Sequence, residues 1–308
     1  MRRKIGLMLS AAVSCALLAG CFGGGDDDSS PAPTPTPSPT ASPSPTPTPA
    51  PVAIDFDFSK AFTDTATNAS YIFAYFTPTG GAEVWSDGMR RDGQSGITYA
   101  VSPESVAFSW PDSATLSTFG AADRQTDTAT RRTYRKGNDG IVLERPFQHV
   151  LRVTYHRIEN FVRESVNGTL RSNRVTLFFN EVSTTSAITS NLSYTGTAEV
   201  AGGKPGAATS TFTASPSTFT VTASDKKLTG SIQILETVNG VATVRAVLPI
   251  SATLSASEGV SGAIDDTANG FKGTFVGALA GPSREEMVLI FNVAHTDGRE
   301  FIGSVIAS

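Results

Sequence analysis

From about Ser186 to the C-terminus, apolar and polar residues alternate with period two in short runs, and Gly, Pro, Asn and Asp separate the runs. Phe271, Gly273, Phe275, Gly277 and Leu279 share one face of such a run, with Lys272, Thr274, Val276 and Ala278 on the other; Met287, Leu289, Phe291 and Val293 repeat the pattern. The alternation predicts strands over Leu192–Val200, Thr209–Thr213, Thr218–Ala223, Leu228–Leu235, Val241–Ile250, Val260–Ile264, Phe271–Leu279, Met287–Val293 and Glu300–Ile306. Asn239-Gly240, Asn269-Gly270, Gly281-Pro282 and Asp297-Gly298 supply turn chemistry between them. Connections this short leave no room for crossover helices, so the strands form an antiparallel meander. Closing it into an up-and-down barrel of about eight strands removes its open edges.

Between Ile54 and Thr185 the pattern is strand-like but less regular. Tyr71–Phe76, Ile97–Val101, Val106–Trp110, Val150–Tyr155 and Val175–Phe179 are rich in β-branched and aromatic residues. Gly80-Gly81, Asp87-Gly88, Asp92-Gly93, Asn138-Asp139-Gly140 and Asn167-Gly168 read as turns. Long polar connections, 120–140 among them, read as surface loops instead of a compact sandwich, and such loops are where partners bind. The expected fold class is all-β: an irregular N-terminal β domain over residues 53–185, then an antiparallel eight-stranded β-barrel over 186–308.

The front of the chain carries no such alternation. Residues 1–20 have a basic start (Arg2, Arg3, Lys4), an apolar run from Ile5 to Leu18 and small residues at the end, the layout of a secretory signal and too short to span a bilayer as a helix. Leu18-Ala19-Gly20-Cys21 resembles the lipobox of bacterial lipoproteins, which implies a lipid anchor on the Cys21 thiol and cleavage before it. Several acyl chains at ~0.8 kcal/mol per buried methylene hold a protein stably where a single chain is marginal. Residues 21–52 then form a Gly/Asp and Pro/Thr/Ser linker, expected to be disordered; its proline tract cannot pack a core and extends at ~3.1 Å per residue as a spacer. Phe22 lacks the Asp that holds enteric lipoproteins on the inner membrane, which favours the outer membrane.

Charge and cysteine use narrow the function. The net charge of −4 falls to −7 without Arg2, Arg3 and Lys4, which argues against a nucleic-acid partner. Both cysteines, Cys15 and Cys21, lie at the front, so the folded part has neither a disulfide nor a catalytic thiol. Arg131, Arg132, Arg135 and Lys136 around Tyr134 read either as an anion patch or, more often for such runs, as a solvated loop. His149 and His156 are candidate haem or metal ligands, but their odd spacing puts them on opposite faces of a strand. Asp265-Asp266 and Glu285-Glu286 are adjacent pairs whose side chains diverge on extended backbone, and Asp55 and Asp57 lie at the mouth of the linker. No nucleophile elbow, phosphate loop or dinucleotide fingerprint occurs, and the expectation is a protein that is not an enzyme.

Gly273-Thr274-Phe275-Val276-Gly277, then Gly281-Pro282-Ser283-Arg284-Glu285-Glu286, then Phe291 and Phe301-Ile302-Gly303 resemble the closing motif of the barrel domains of transferrin-binding protein B-like surface lipoproteins. Tyr194-Thr195-Gly196-Thr197-Ala198 is similar to the opening strand of those barrels. Arg284 stands where the family has Ala, and Met287-Val288 where it commonly has a Gly pair. In physical terms the glycines permit close strand approach, Pro282 fixes the turn and a glutamate can cap exposed backbone N–H groups. The resemblance implies a handle domain before the barrel. It also implies a cell-surface or outer-membrane lipoprotein that binds haem, an iron carrier or another solute or protein for uptake. An adhesin or shielding lipoprotein that binds a macromolecule without transport is the alternative. The implied partners are the membrane, through the anchor, and an outer-membrane transporter or surface-export factor, with the chain a monomer facing the cell exterior. No cofactor is implied, and haem enters only as a ligand. The resemblance transfers no contact residue, so Cys21 is the single site residue it supports.

Overall fold

The computed structural model describes residues 53–111 and 113–308. Cys21, the signal-like segment and the linker lie outside the described residues. In chain order the first eleven strands are β1 (Phe62–Thr67), β2 (Ser70–Pro78), β3 (Val84–Arg91), β4 (Gln94–Val101), β5 (Glu104–Trp110), β6 (Ser113–Gly120), β7 (Arg124–Thr128), β8 (Arg131–Lys136), β9 (Asp139–Glu144), β10 (Val150–Arg163) and β11 (Val166–Phe179). They make two antiparallel sheets, a four-stranded one ordered β1-β4-β5-β6 and a seven-stranded one ordered β3-β2-β11-β10-β9-β8-β7. The chain passes between them three times, the last time through a 3₁₀ turn, Ala121–Asp123, from β6 to β7.

Phe56, Phe108, Phe119, Tyr134, Leu151 and Phe178 pack between these sheets. The N-terminal half is therefore a two-sheet sandwich, not the loop-rich domain expected from its sequence. Three readings change. Residues 120–140 hold strands β7 and β8 instead of a long surface loop. Asn167-Gly168 lies inside β11; the turn is three residues earlier, at Glu164 and Ser165, both left-handed (φ 49° and 69°). Asp87-Gly88 lies inside β3, where a bulge opposite Ala74 and Tyr75 absorbs the extra residue.

The remaining strands are β12 (Leu192–Gly203), β13 (Thr211–Ala214), β14 (Ser217–Val221), β15 (Lys227–Val238), β16 (Val241–Thr253), β17 (Gly259–Asp266), β18 (Phe271–Ala280), β19 (Glu286–His295) and β20 (Glu300–Ala307). Both β13 and β14 pair with β15, and Ser215 N–H donates to Gln233 O between them at 3.1 Å. They are two halves of one strand kinked at Ser215-Pro216, because Pro216 has no N–H to offer the ladder. Eight courses result, as the alternation predicts. Tyr194, Phe219, Ile232, Leu248, Ile264, Phe275, Phe291 and Val305 come from eight different strands and meet in one core, so the sheet is rolled into a barrel shape. No ladder joins β16 to β17. At that seam the buried Asp266 carboxylate of β17 accepts Val247 N–H of β16 at 2.7 Å and Asn269 N–H at 3.2 Å.

The closing motif has structural duties. A Cβ on Gly273 would sit 1.9 Å from Asn292 O and one on Gly277 2.1 Å from Val288 O, so only glycine fits. Glu286 accepts the backbone N–H groups of Gln148 and His149 at 2.8 and 2.9 Å, the capping role anticipated for a glutamate of this turn. Burial pushes its carboxyl above the ordinary range. Arg284, in a left-handed conformation, binds Glu258 at 2.7 Å and Ser186 O at 3.0 Å.

The middle of the seven-stranded sheet, around Val150 and Leu177, is buried on both faces. Opposite its aromatic core, Tyr71, Trp85, Val150, Val175 and Leu177 pack on Ala201, Ala280, Val288, Ile290, Ile302 and Ile306 of the barrel's outer wall. Two-sided burial of β19 and β20 follows, and explains the unbroken apolar run from Met287 to Phe291. Sandwich and barrel lie within one compact unit, Pro49–Ser308.

Candidate functional site

The long β10–β11 hairpin defines two ends of the molecule. Its fourteen-residue strands place the turn at Glu164-Ser165 roughly 45 Å from Phe179, at ~3.3 Å per residue. At the Phe179 end the chain joins the fold: Ile54 N–H donates to Asn180 Oδ1 at 2.6 Å, and Asn180 Nδ2 returns a bond to Ile54 O at 2.9 Å. At the hairpin-turn end, connections from both halves converge.

That loop end is built outward from Trp85. The indole is fully buried, stacks on Phe73, meets Tyr75 edge-on at 5.3 Å, and donates through Nε1 to Glu300 of β20 at 2.7 Å. Burial raises the Glu300 carboxyl, and the indole N–H acts against that shift. Trp85 N–H donates to Ala207 O at 3.0 Å and Gly206 N–H to Trp85 O at 2.9 Å, which ties the barrel's 203–210 loop to β3. Gly203 (φ 151°) makes room: a Cβ there would meet Trp85 Cβ at 3.0 Å. Thr79 N–H donates to Asn167 O at 2.9 Å, which holds the β2–β3 turn against the β10–β11 hairpin. A two-pronged Arg171–Glu83 pair (2.7 and 3.0 Å), with the guanidinium over the Tyr75 ring at 4.3 Å, stiffens the same corner.

Apolar side chains project from this end. On the sandwich hairpin Phe161, Val162 and Val166 are 41%, 59% and 47% exposed, with Phe161 resting edge-on against buried Phe76 at 6.2 Å. On the barrel's β15–β16 hairpin Val238 and Val241 are 47% and 65% exposed. Beside them the barrel mouth holds a cavity of about 180 Å³ over Phe212 and Phe301, rimmed by Lys204, Glu236, Arg245, Asp297 and Arg299. Arg245 pairs with Glu236 at 2.6 Å and Arg299 with Asp297 at 2.8 Å. Arg299 N–H, His295 and the Arg299 side chain hold the Asp297 carboxyl well below the usual range.

The residues singled out in the sequence do not gather here. His149 sits before β10 with Nδ1 3.3 Å from Asn180 Nδ2, while His156 lies mid-strand over Gly140, roughly 23 Å along β10 at ~3.3 Å per residue. Burial, and then Arg135, lower the His156 pKa. Among the described residues no group of three or more His, Cys, Asp or Glu is placed to hold a metal ion. The basic run on β8 is largely engaged. Tyr134 is core and donates to Glu104 at 2.5 Å, Arg132 lies over Phe58 and donates to Thr128 O, and Arg131 reaches Glu144 at 3.5 Å. Asp55 pairs with Lys60, and Asp57 accepts Ser59 N–H, a local turn network. Asp265 pairs with Lys272 on the surface, while Asp266 serves the seam. Glu285 accepts Ser283 N–H.

Sequence reasoning missed two links. One is Trp85–Glu300. The other is Arg152, which bridges Glu144 of its own sheet (2.7 Å) and Glu199 of the barrel (2.6 Å) beside a cavity of about 490 Å³. Burial lifts the Glu199 carboxyl above its ordinary range, with Arg152 opposing. Trp85 and Glu300, and Arg152 and Glu199, are far apart in the chain, and no local pattern marks them.

No family model matches the chain, and no curated protein matches it. Among solved structures it is similar over 77% of its length to the isotype 1 transferrin binding protein B from serogroup B Neisseria meningitidis (14% identity, TM-score 0.37, 42% of that chain). Over 73% it is similar to a Tyr-167-Ala, Trp-176-Ala double mutant of transferrin binding protein B from Haemophilus parasuis Hp5 (13% identity, TM-score 0.39, 53% of that chain). Over 78% it is similar to the N-lobe domain of lactoferrin binding protein B of Moraxella bovis (10% identity, TM-score 0.38, 99% of that chain). The chain spans about half the length of the first two. These structures include the transferrin-binding proteins that the closing motif resembles.

Proposed function

We propose that this protein is a non-enzymatic surface lipoprotein, anchored through Cys21 to the outer membrane and facing the exterior, that captures a macromolecular ligand on its loop end. The observation that carries this is the pair of hairpin tips with exposed Phe161, Val162, Val166, Val238 and Val241, at the end opposite Ile54, where the linker joins. Apolar side chains at the tips of stiff hairpins lose little entropy when covered, and rigid elements beneath them hold the surface in register. A tether at the far end turns these tips away from the anchoring membrane, so a soluble partner meets them first. Sandwich and barrel together serve as the platform.

Pull-down from intact cells with the anchored chain as bait tests the reading. Wild type is expected to retain a partner that the Phe161→Ser, Val162→Ser, Val241→Ser triple variant loses while folding normally; equal recovery by both overturns it. Protease shaving of the same cells tests surface exposure. Capture of haem, the small-ligand version, predicts a spectral change on titration with micromolar haem. Capture for uptake, as against adhesion or shielding, predicts induction of expression under iron limitation.

A further inference from the structure

The four-stranded sheet leaves one side of β1 unpaired, and the direction of its free backbone groups can be deduced. Asn68 N–H donates to Gly93 O at 2.8 Å, in register with the β1–β4 pairing, so the even-numbered residues of β1 bond to β4. The N–H and C=O groups of odd-numbered residues point the other way. One contact agrees: Thr65 N–H turns to its neighbour's carboxylate, Asp64 Oδ1, at 2.8 Å. At Asn68 (φ 57°) the chain turns out of β1, and from Ala69, which accepts Leu177 N–H at 3.0 Å, it runs on beside β11; toward its N-terminus β1 diverges from the end of β11 and leaves Thr63, Thr65 and Thr67, all exposed, as an open strand edge.

The wedge between the diverging strands is a cavity of about 320 Å³, floored by Ile54, Ala66 and Phe179 and flanked by Asp64 and Glu181. Among the described residues no cation lies within ion-pair distance of either carboxylate, although ion pairs are frequent elsewhere on the molecule. Burial, with the Glu181 charge in support and the Thr65 N–H opposing, pushes the Asp64 carboxyl up to about 6. An unpaired edge, an apolar floor and two uncompensated carboxylates define the complement: a strand whose backbone completes the ladder and whose side chains bring positive charge.

We propose that the free edge of β1 is a second binding site, which takes up an extended segment of a partner protein carrying lysine or arginine between small or β-branched residues. The segment lies antiparallel or parallel to Phe62–Thr67, hydrogen-bonds to Thr63, Thr65 and Thr67, and sets its basic groups against Asp64 and Glu181. The site lies at the Ile54 end, opposite the loop end, and does not depend on the loop-end reading.

The probe is a fluorescent seven-residue peptide alternating valine and lysine, with a glutamate-for-lysine peptide as control, added to the purified full-length chain. The lysine peptide is expected to bind at least tenfold tighter than the control. The shape-conserving Asp64→Asn, Glu181→Gln double variant should abolish that preference. In the unmodified protein, exchange of the Thr63, Thr65 and Thr67 amides should slow at least tenfold on peptide addition, a readout that needs no variant to fold. Equal binding of the two peptides, or unchanged exchange at these three amides, overturns the proposal. So does a dimer in sedimentation with those amides protected before any peptide is added, since a second copy would then be the occupant.

Discussion

The barrel and the sandwich treat their sheet edges in opposite ways. In the barrel every course has a ladder on both sides except at the β16–β17 seam, and there a buried carboxylate, Asp266, takes up the loose Val247 N–H. The sandwich closes nothing: β1 and β6 end one sheet and β3 and β7 the other. Closure suits a half whose outer wall also supports a neighbour, because each ladder satisfies backbone groups and fixes which side chains face out. An open sandwich needs other means of holding its edges, and here a local bridge, Val84 to Ala208, joins β3 to the barrel loop. Of the other terminal strands, β1 is the one flanked by the carboxylates Asp64 and Glu181, unpaired among the described residues. The barrel therefore has the closed edges, and the sandwich, with its long hairpin and the β1 edge, the open ones.

The contrast can be broken most strongly at the joint. Trp85→Ala removes a fully buried indole that both halves use and is expected to cost ~3–5 kcal/mol, the range for large aromatic truncations. Chemical denaturation measures it. A loss under ~1 kcal/mol would show that the halves stand independently. At the seam, Asp266→Ala strands Val247 N–H and should cost ~2 kcal/mol, as for hydrogen bonds to a charged group, with faster amide exchange at Val247. Unchanged exchange there would mean the seam needs no carboxylate.

The open edge gives a smaller, pH-dependent effect. Asp64 is raised to about 6 in the fold from 3.8, so the folded state favours its protonated form. Its contribution is most favourable below pH ~3.8 and declines as pH rises to ~6, remaining unfavourable above. Asp64→Asn should then stabilise the protein at pH 7 by less than ~1 kcal/mol after solvent screening, and flatten the pH 4–6 slope of melting temperature. Destabilisation at pH 7 would contradict the burial argument. Smallest in stability are the tips: Val162→Ser and Val241→Ser should shift unfolding by under ~0.5 kcal/mol while weakening capture of the partner, measured on the same preparations.

The barrel was readable residue by residue because one face of each strand meets water and the other a core, which writes a period of two into the sequence. The sandwich was less readable for three physical reasons. Its middle sheet is buried on both faces near Val150 and Leu177, which replaces alternation with apolar runs. Its long hairpin leaves the core after Tyr155, so Arg157–Arg163 and Val166–Arg171 form strands with hardly a buried side chain to announce them. Its turns fall at Glu164-Ser165, where no glycine stands, and not at nearby Asn167-Gly168. As for the candidate sites, the mixed acid–base rim of the barrel mouth and the β1 edge arise from residues distant in the chain, and no motif spacing records them.

By itself the sequence determined the all-β class, the eight courses of the barrel and the structural meaning of the Gly273–Glu286 motif, because strand alternation, glycine close contacts and backbone capping are local matters. It also set the expectation of an anchor at Cys21. Only the tertiary structure decided that the N-terminal half is a sandwich, that Trp85, Glu286 and Arg152 join it to the barrel, and which strand edge and hairpin tips stay uncovered. Those depend on which faces meet across more than a hundred residues, and burial, not local pattern, chooses them.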